Sequence, residues 1–480
     1  MGVFVHVVRI LAPVVAAVLA PSAFAAPDAV APAQAPQPPK PPKYENLRFR
    51  EDWSVFCPTC PGERCDVTDR LKALPLSPDG SVWVNVGGQA RARFESFTNY
   101  GFSDNPDADD DWLLTRLRLH VDLHVGPALR LFVEGIQADQ EARELGPRPV
   151  DENHQDLLNA FVDYHGPVGP CCVDVGARVG RQEFLFGKQR VVGPLDWANT
   201  RRTFEGASAW AKTSWWRLDA LVVRPVLVDR YDFDEDDEDT LFAGVYYANT
   251  ACDACRFDAY AFWFDTDAAT WLKVTTDESR FTVGVRADGV VGGTVLDWEV
   301  EGAYQFGEAG DGDISAGFVT AEVGCKPCWC WSPRFALGAD WASGDHDGPG
   351  GDVGTYRQLY PTGHLWFGWA DLVGRQNVVA GRFTATAKPT ETLFVRFDAH
   401  AFRRATEEDA AYNAAGTVLA GPVDDELDLA QELDFQVKWN PDRHWEVEVG
   451  WSHVFAGKFL EDAGLDQDVD FWWASVTFTF

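Results

Sequence analysis

Arginine dominates the chemistry open to this chain. Read at a two-residue period, Arg91, Arg93, Arg116, Arg118, Arg130, Arg178, Arg280, Arg286, Arg334, Arg375 and Arg396 fall on polar faces. A guanidinium stays charged at physiological pH, and its planar fork matches a carboxylate with two parallel hydrogen bonds. A row of such groups around a wet passage would lead an anionic solute. The same faces carry Glu95, Asp122, Glu134, Asp163, Asp297, Glu299, Glu301, Asp340, Asp398, Glu446 and Glu448. An arginine beside one of these would pair laterally and stiffen a wall instead. The residue types alone allow both outcomes.

Catalysis has little to build on. Ser343, Asp345 and His346 share one Gly/Asp-rich loop, a composition that describes a loop far better than a triad. His120 and His124 share a face four residues apart along a strand, too far for an unaided metal pair. Passage, not an enzymatic reaction, is therefore expected, with no cofactor. The carboxylates of 104–111, 229–239, 345–352 and 424–428 crowd into polar loops. They read as solvated, or as sites for Ca²⁺ at the outer surface, their own or bridging lipopolysaccharide. Ten cysteines stand in tight groups: Cys57, Cys60 and Cys65; Cys171 and Cys172; Cys252 and Cys255; Cys325, Cys328 and Cys330. In an exported chain they are disulfide candidates with open connectivity, and no histidine lies at zinc-ligand spacing.

Export itself is read from residues 1–25, where Arg9, the apolar run 10–19 and Ala23-Phe24-Ala25 form a signal peptide. Residues 26–43 are a Pro/Ala-rich linker, 44–80 a periplasmic lead-in, and 81–480 a membrane barrel. The net charge of −33 excludes a nucleic-acid partner. A mean hydropathy of −0.21 is too polar for a helical membrane bundle, but suits strands with one face in lipid and one in water. Twenty tryptophans suit interfacial belts.

The elements that must position the arginines are strands. In the last eleven residues Trp472, Ala474, Val476, Phe478 and Phe480 share one face, and Trp473, Ser475, Thr477 and Thr479 the other. Leu117, Leu119, Val121, Leu123 and Val125 likewise oppose Arg118, His120, Asp122 and His124. About 18 such runs follow Val82, and their connections alternate short and long. The short ones include 126–127, 213–215 and 440–442, and the long ones 97–111, 185–202, 342–372 and 457–469. An all-β, up-and-down antiparallel transmembrane barrel of about 18 strands, with both termini periplasmic, predicts that rhythm.

Three segments say more. Gly180-Arg181-Gln182-Glu183 continues through Gly187-Lys188-Gln189-Arg190 to Arg202-Thr203-Phe204-Glu205-Gly206; Leu359-Tyr360-Pro361-Thr362-Gly363-His364 continues to Asp371; Glu432-Leu433-Asp434 precedes Gly457-Lys458-Phe459. With Tyr44-Glu45-Asn46-Leu47-Arg48, these resemble the alginate-export family of outer-membrane porins over residues 44 to 480. The resemblance implies an 18-stranded barrel in a Gram-negative outer membrane. It also implies a narrow, arginine- and lysine-lined conduit for an anionic uronate polymer, gated or plugged by a periplasmic turn. By motif, Arg181, Arg190, Arg201 and Arg202 would feed the conduit, and the loop of Tyr360, His364 and Asp371 would fold near or into the lumen.

Two functions compete. One is a channel for an alginate-like acidic polysaccharide or oligosaccharide, lined by Arg91, Arg93, Arg118, Arg178, Arg181, Arg190, Arg201, Arg202, Arg286, Arg334 and Arg396. The other is a general diffusion porin of the same fold with a mixed-charge lumen. Expected partners are outer-membrane lipid and lipopolysaccharide, the anionic saccharide, and periplasmic export proteins.

Overall fold

Alternation of apolar and polar residues over nine or more positions gives a strand two chemically distinct faces, and a membrane lets such strands persist only when no edge is left open. The structure, a computed structural model, describes residues 41–56, 64, 66–169, 173–249, 251, 255–271, 274–346, 351–423 and 425–480. The expected signal peptide, most of the linker, and Cys57, Cys60, Cys65, Cys171, Cys172 and Cys252 lie outside them. Eighteen long strands follow. They are β1 (Val82–Thr98), β2 (Asp110–Val125), β3 (Leu129–Glu141), β4 (Asn153–Val168), β5 (Val173–Gln182) and β6 (Phe204–Lys212). Next come β7 (Trp216–Leu227), β8 (Thr240–Asn249), β9 (Cys255–Trp271), β10 (Val274–Val290), β11 (Leu296–Ala309) and β12 (Gly312–Cys325). The set ends with β13 (Arg334–Ala342), β14 (Val378–Thr390), β15 (Leu393–Arg404), β16 (Asp428–Trp439), β17 (Trp445–Ala456) and β18 (Val469–Thr479).

Each strand runs antiparallel to its neighbours, and β1 pairs with β18 from Gln89↔Thr479 to Thr98↔Asp470, which closes the sheet. The burial alternates as the sequence pattern requires. On β2, Leu117, Leu119 and Val121 are exposed outward while Arg116, Arg118, His120 and Asp122 are buried inward. Tyr164, Trp439 and Trp445 ring the edge that holds the start of β1 and the end of β18, and Trp341, Phe455 and Trp472 ring the far edge. These are the two aromatic girdles of a membrane barrel.

The far edge departs in part from the expected rhythm. Residues 310–311 join β11 to β12 as a tight turn, and the ladder of β9 with β10 runs as far as Trp271↔Val274. Gly310 adopts φ 57°, a left-handed conformation that lets the chain reverse in so short a space. Gly310-Asp311-Gly312 is itself a turn signal. The described Cys255, Cys325, Cys328 and Cys330 are free thiols, which corrects the disulfide expectation for these four. Cys325 ends β12 within the sheet ladder, where its backbone is committed to pairing with Phe335, while Cys328 and Cys330 stand exposed in the following turn.

The barrel is not hollow. The connection 183–203 after β5 and residues 355–377 of the connection after β13 fold inward. They run alongside each other where Gly193 N–H donates to Tyr360 O (2.8 Å) and Tyr360 N–H to Val191 O (2.9 Å). Aromatic side chains fill the space between them and the wall: Phe184, Phe186, Phe204, Phe242, Tyr260, Phe262, Trp369 and Trp473 form one buried cluster. Residues 44–56 pack into the mouth at the terminus edge. Phe49 stands edge-on to Phe132 (5.8 Å) and Phe161 (5.2 Å), both lumen-facing. Arg48 donates to Gly88 O on β1 (3.0 Å) and to Phe480 O just past β18 (2.9 Å), with Glu51 holding its Nε at 2.6 Å.

Candidate functional site

The lumen wall on β1 and β2 is rich in arginine because register puts Arg91 directly opposite Arg116, with Arg93 and Arg118 two residues along on the same face. Like charges so placed repel unless acceptors reach both. The inward loop 183–203 supplies them. Arg91 donates to Asp196 O (3.0 Å) and Trp197 O (3.2 Å), Arg93 to Trp197 O (2.6 Å), and Arg116 to Asp196 O (3.1 Å), Ala198 O (3.0 Å) and the Asp196 carboxylate (3.0 Å). The Trp197 ring lies 3.9 Å from the Arg93 guanidinium. Burial alone would raise the Asp196 carboxyl, but Arg201, Arg116 and Arg91 overcome it and hold the group far below the usual carboxylate range. Arg118 pairs with Glu134 (3.0 Å), Arg178 with Asp163 (2.6 Å), Arg201 with Glu183 (2.5 Å), and Arg181 with Asp156 and Glu205 (both 3.2 Å).

The rest of the wall repeats the pairing. Arg286 meets Asp258 (2.9 Å) and Asp288 (2.5 Å), Arg334 bridges Asp297 and Glu322 (both 2.6 Å), Arg396 pairs with Asp398 (2.5 Å), and Arg190 pairs with Glu301 (2.9 Å) and Glu299. Of the arginines singled out from the sequence, Arg91 and Arg202 form no ion pair with a carboxylate among the described residues. Arg202 donates to Pro361 O (3.0 Å), tying one inward loop to the other, and burial lowers its guanidinium to about 10. Tyr360 is enclosed edge-on by Phe204 (4.9 Å) and Phe242 (5.0 Å), and burial pushes its hydroxyl up. It packs the two inward loops together. His364 stacks on Trp197 (3.9 Å) and meets Asp371 (3.0 Å).

What stays reachable was quoted within the motifs but not singled out. Lys188 is exposed on the inward loop and has no carboxylate partner among the described residues. Trp366, half-buried, donates its indole N–H to Lys188 O (3.2 Å), and its ring is flanked by Arg190 (3.7 Å) and Arg382 (5.1 Å). The signal was the Gly187-Lys188-Gln189-Arg190 turn itself, a cation beside a glycine with no acidic neighbour.

The wall on β15 and β16, separated from β1 by only β17 and β18, is acidic. Asp398 lies across from Asp434, and His400 from Glu432. The second inward loop meets it with donors: Ala370 N–H to Glu432 Oε1 (3.0 Å) and Trp369 N–H towards Asp434 Oδ1 (3.5 Å). Gly368 permits the approach, since at its φ of 90° a Cβ would stand 2.1 Å from Glu432 Oε2. Loop carbonyls thus dock on arginines at one wall, and loop amides on carboxylates at the other.

A closed, lipid-facing sheet of 18 antiparallel strands around a polar interior constricted by folded-in loops defines a porin of the Gram-negative outer membrane. Solved structures similar to it include OccAB1 of Acinetobacter baumannii (TM-score 0.56, 11% identity, 86% of this chain and 99% of that one). They also include OccD3 (OpdP) of Pseudomonas aeruginosa (TM-score 0.56, 12% identity, 83% and 91%). OccK2 (OpdF) of Pseudomonas aeruginosa, solved in complex with glucuronate, matches with a TM-score of 0.52 at 10% identity over 82% of this chain and 98% of that one. No curated protein matches the sequence. The sequence pattern of the alginate export family matches residues 82–474, and the chain belongs to that family.

Proposed function

We propose that this channel passes an anionic saccharide, an alginate-like acidic polysaccharide or oligosaccharide, along the inward loop that carries Lys188 and past Trp366. The observation that carries this reading is the reachable cation Lys188 beside a tryptophan ring flanked by Arg190 and Arg382. An indole face and nearby cations match the apolar face and the carboxylate of a uronate unit. Family membership and the glucuronate held by OccK2 support the same chemistry. The start of β1 and the end of β18 share one edge, which in this reading faces the periplasm. The second reading, a general diffusion porin, draws on the pairing of most lumen arginines with carboxylates. Planar-bilayer recording separates the two. Anion selectivity with concentration-dependent blockade by oligo-uronates supports the saccharide channel. Cation selectivity without blockade removes it.

A further inference from the structure

The acidic wall on β15 and β16 holds more charge than its neighbours balance. Asp398, Glu432 and Asp434 are each at least 99% buried, and His400 is 6% exposed among them. Arg396 compensates Asp398 (2.5 Å), but no ion pair reaches Glu432 among the described residues, and Asp434 meets only His400, whose Nε2 is 3.4 Å from Oδ2. Burying two carboxylates across from each other costs several kcal/mol unless something positive sits between them.

The atoms that face inward are also left without hydrogen bonds. Asp434 Oδ2, Glu432 Oε2 and His400 Nδ1 are buried and make none. The outward atoms are held: Thr384 Oγ1 donates to Asp398 Oδ1 and Ser452 Oγ to Asp434 Oδ1 (both 2.5 Å). On Asp434 this is the division expected of a ligand, with one oxygen fixed by an outer partner and the other kept for an ion. Asp398 has both oxygens bonded, Oδ2 to Arg396 Nε, and would offer a remaining lone pair. One ligand atom from each of Asp398, His400 and Asp434 lies within 4.8 Å of the others. A cation held at about 2.0–2.2 Å spans ligand pairs up to about 4.4 Å apart, so only slight closure is required.

We propose that Asp398, His400 and Asp434 form a divalent-cation site on the lumen wall. One imidazole nitrogen with two carboxylate oxygens suits Zn²⁺ or Mn²⁺ better than Ca²⁺, whose sites are built from oxygen. Glu432 and Asp434 also receive the Ala370 and Trp369 amides, so the ion would pin residues 368–371 of the second inward loop to this wall. The site is independent of which solute crosses.

The test is titration of Zn²⁺ alone into the untagged, chelator-stripped channel in detergent, read by calorimetry and by elemental analysis after dialysis. One ion per chain is expected. His400→Ala and Asp434→Asn should each weaken binding by at least about tenfold, while His165→Ala, on another part of the barrel, should leave it unchanged. No retained ion in the wild type, or binding untouched by both substitutions, overturns the site. Should either variant fail to fold, judged by heat-modifiable migration, Co²⁺ on the wild type decides. A visible absorption band displaced by Zn²⁺ supports it, and no band refutes it.

Discussion

The two walls that grip the inward loops use opposite chemistry. On β1 and β2 the guanidinium groups of Arg91, Arg93 and Arg116 gather main-chain carbonyls of residues 196–198. On β16 the carboxylates of Glu432 and Asp434 gather amide N–H groups of residues 369 and 370. An arginine fork offers five donors and tolerates crowding with its own kind when acceptors are dense. Facing carboxylates have only lone pairs to offer and must find donors or a cation. Both walls keep buried atoms without a hydrogen bond, but they differ in kind: guanidinium nitrogens such as Arg91 Nε and Arg116 Nε on the first, and carboxylate oxygens of Glu432 and Asp434 on the second. Charge is zoned inside the tube, so the net charge of −33 says little about what a solute meets there.

The largest test of this contrast removes one carboxylate that serves each wall. Glu183→Ala removes the buried carboxylate that Arg201 meets at 2.5 Å, leaving that guanidinium only the half-exposed Asp196, and should cost about 3 kcal/mol in thermal unfolding followed in detergent. Asp434→Asn, measured in metal-free buffer, relieves repulsion and should cost less than about 1 kcal/mol. The reverse ranking would break the comparison. Trp473→Ala comes next, since that ring stacks on Trp369 (5.3 Å) and stands edge-on to Trp197 (5.8 Å), touching both loops. A loss of about 3–5 kcal/mol with raised single-channel conductance would show that the loops hold each other. Conductance that stays at the wild-type level would show that each wall holds its loop alone.

A smaller effect is expected at the reachable cation. Lys188→Glu should move selectivity towards cations by about fivefold, the worth of roughly 1 kcal/mol for a surface charge, read as a shifted reversal potential. Asp371→Asn should move it the other way. The smallest effect concerns the loop after β7. Burial pushes the Asp234 carboxyl up to about 6, from about 3.9 in an unfolded chain. The folded state then binds its proton more tightly, so stability is highest below about pH 4, declines towards pH 6 and levels off above. Asp234→Asn should flatten that slope in unfolding midpoints measured across pH.

Much of the wall was legible beforehand, because a strict two-residue period assigns Leu117 to lipid and Arg118 to the interior without any knowledge of partners. Pairings were not. That Arg178 would meet Asp163, or Asp398 face Asp434, depends on register between strands, which local pattern does not encode. The inward loops were harder still. Residues 183–203 and 355–377 have no periodicity, and only the likeness of their motifs to a known family pointed them into the lumen. Lys188 was overlooked because attention went to arginine, whose side chains turned out to be mostly spoken for by the wall. The turn at 310–311 was signalled by Gly310-Asp311-Gly312, but its shortness on the edge of long loops was not.

Arg48 grips Gly88 with one nitrogen and Phe480 with another, so it spans the junction between the first and last staves of the cylinder. Half of its anchorage comes from each side. The segment 44–56 can therefore settle only after the two sides have met, which makes its docking a late event in biogenesis. A cylinder that had entered the bilayer without zipping shut would leave this stretch open to protease, and its resistance would report that assembly had finished.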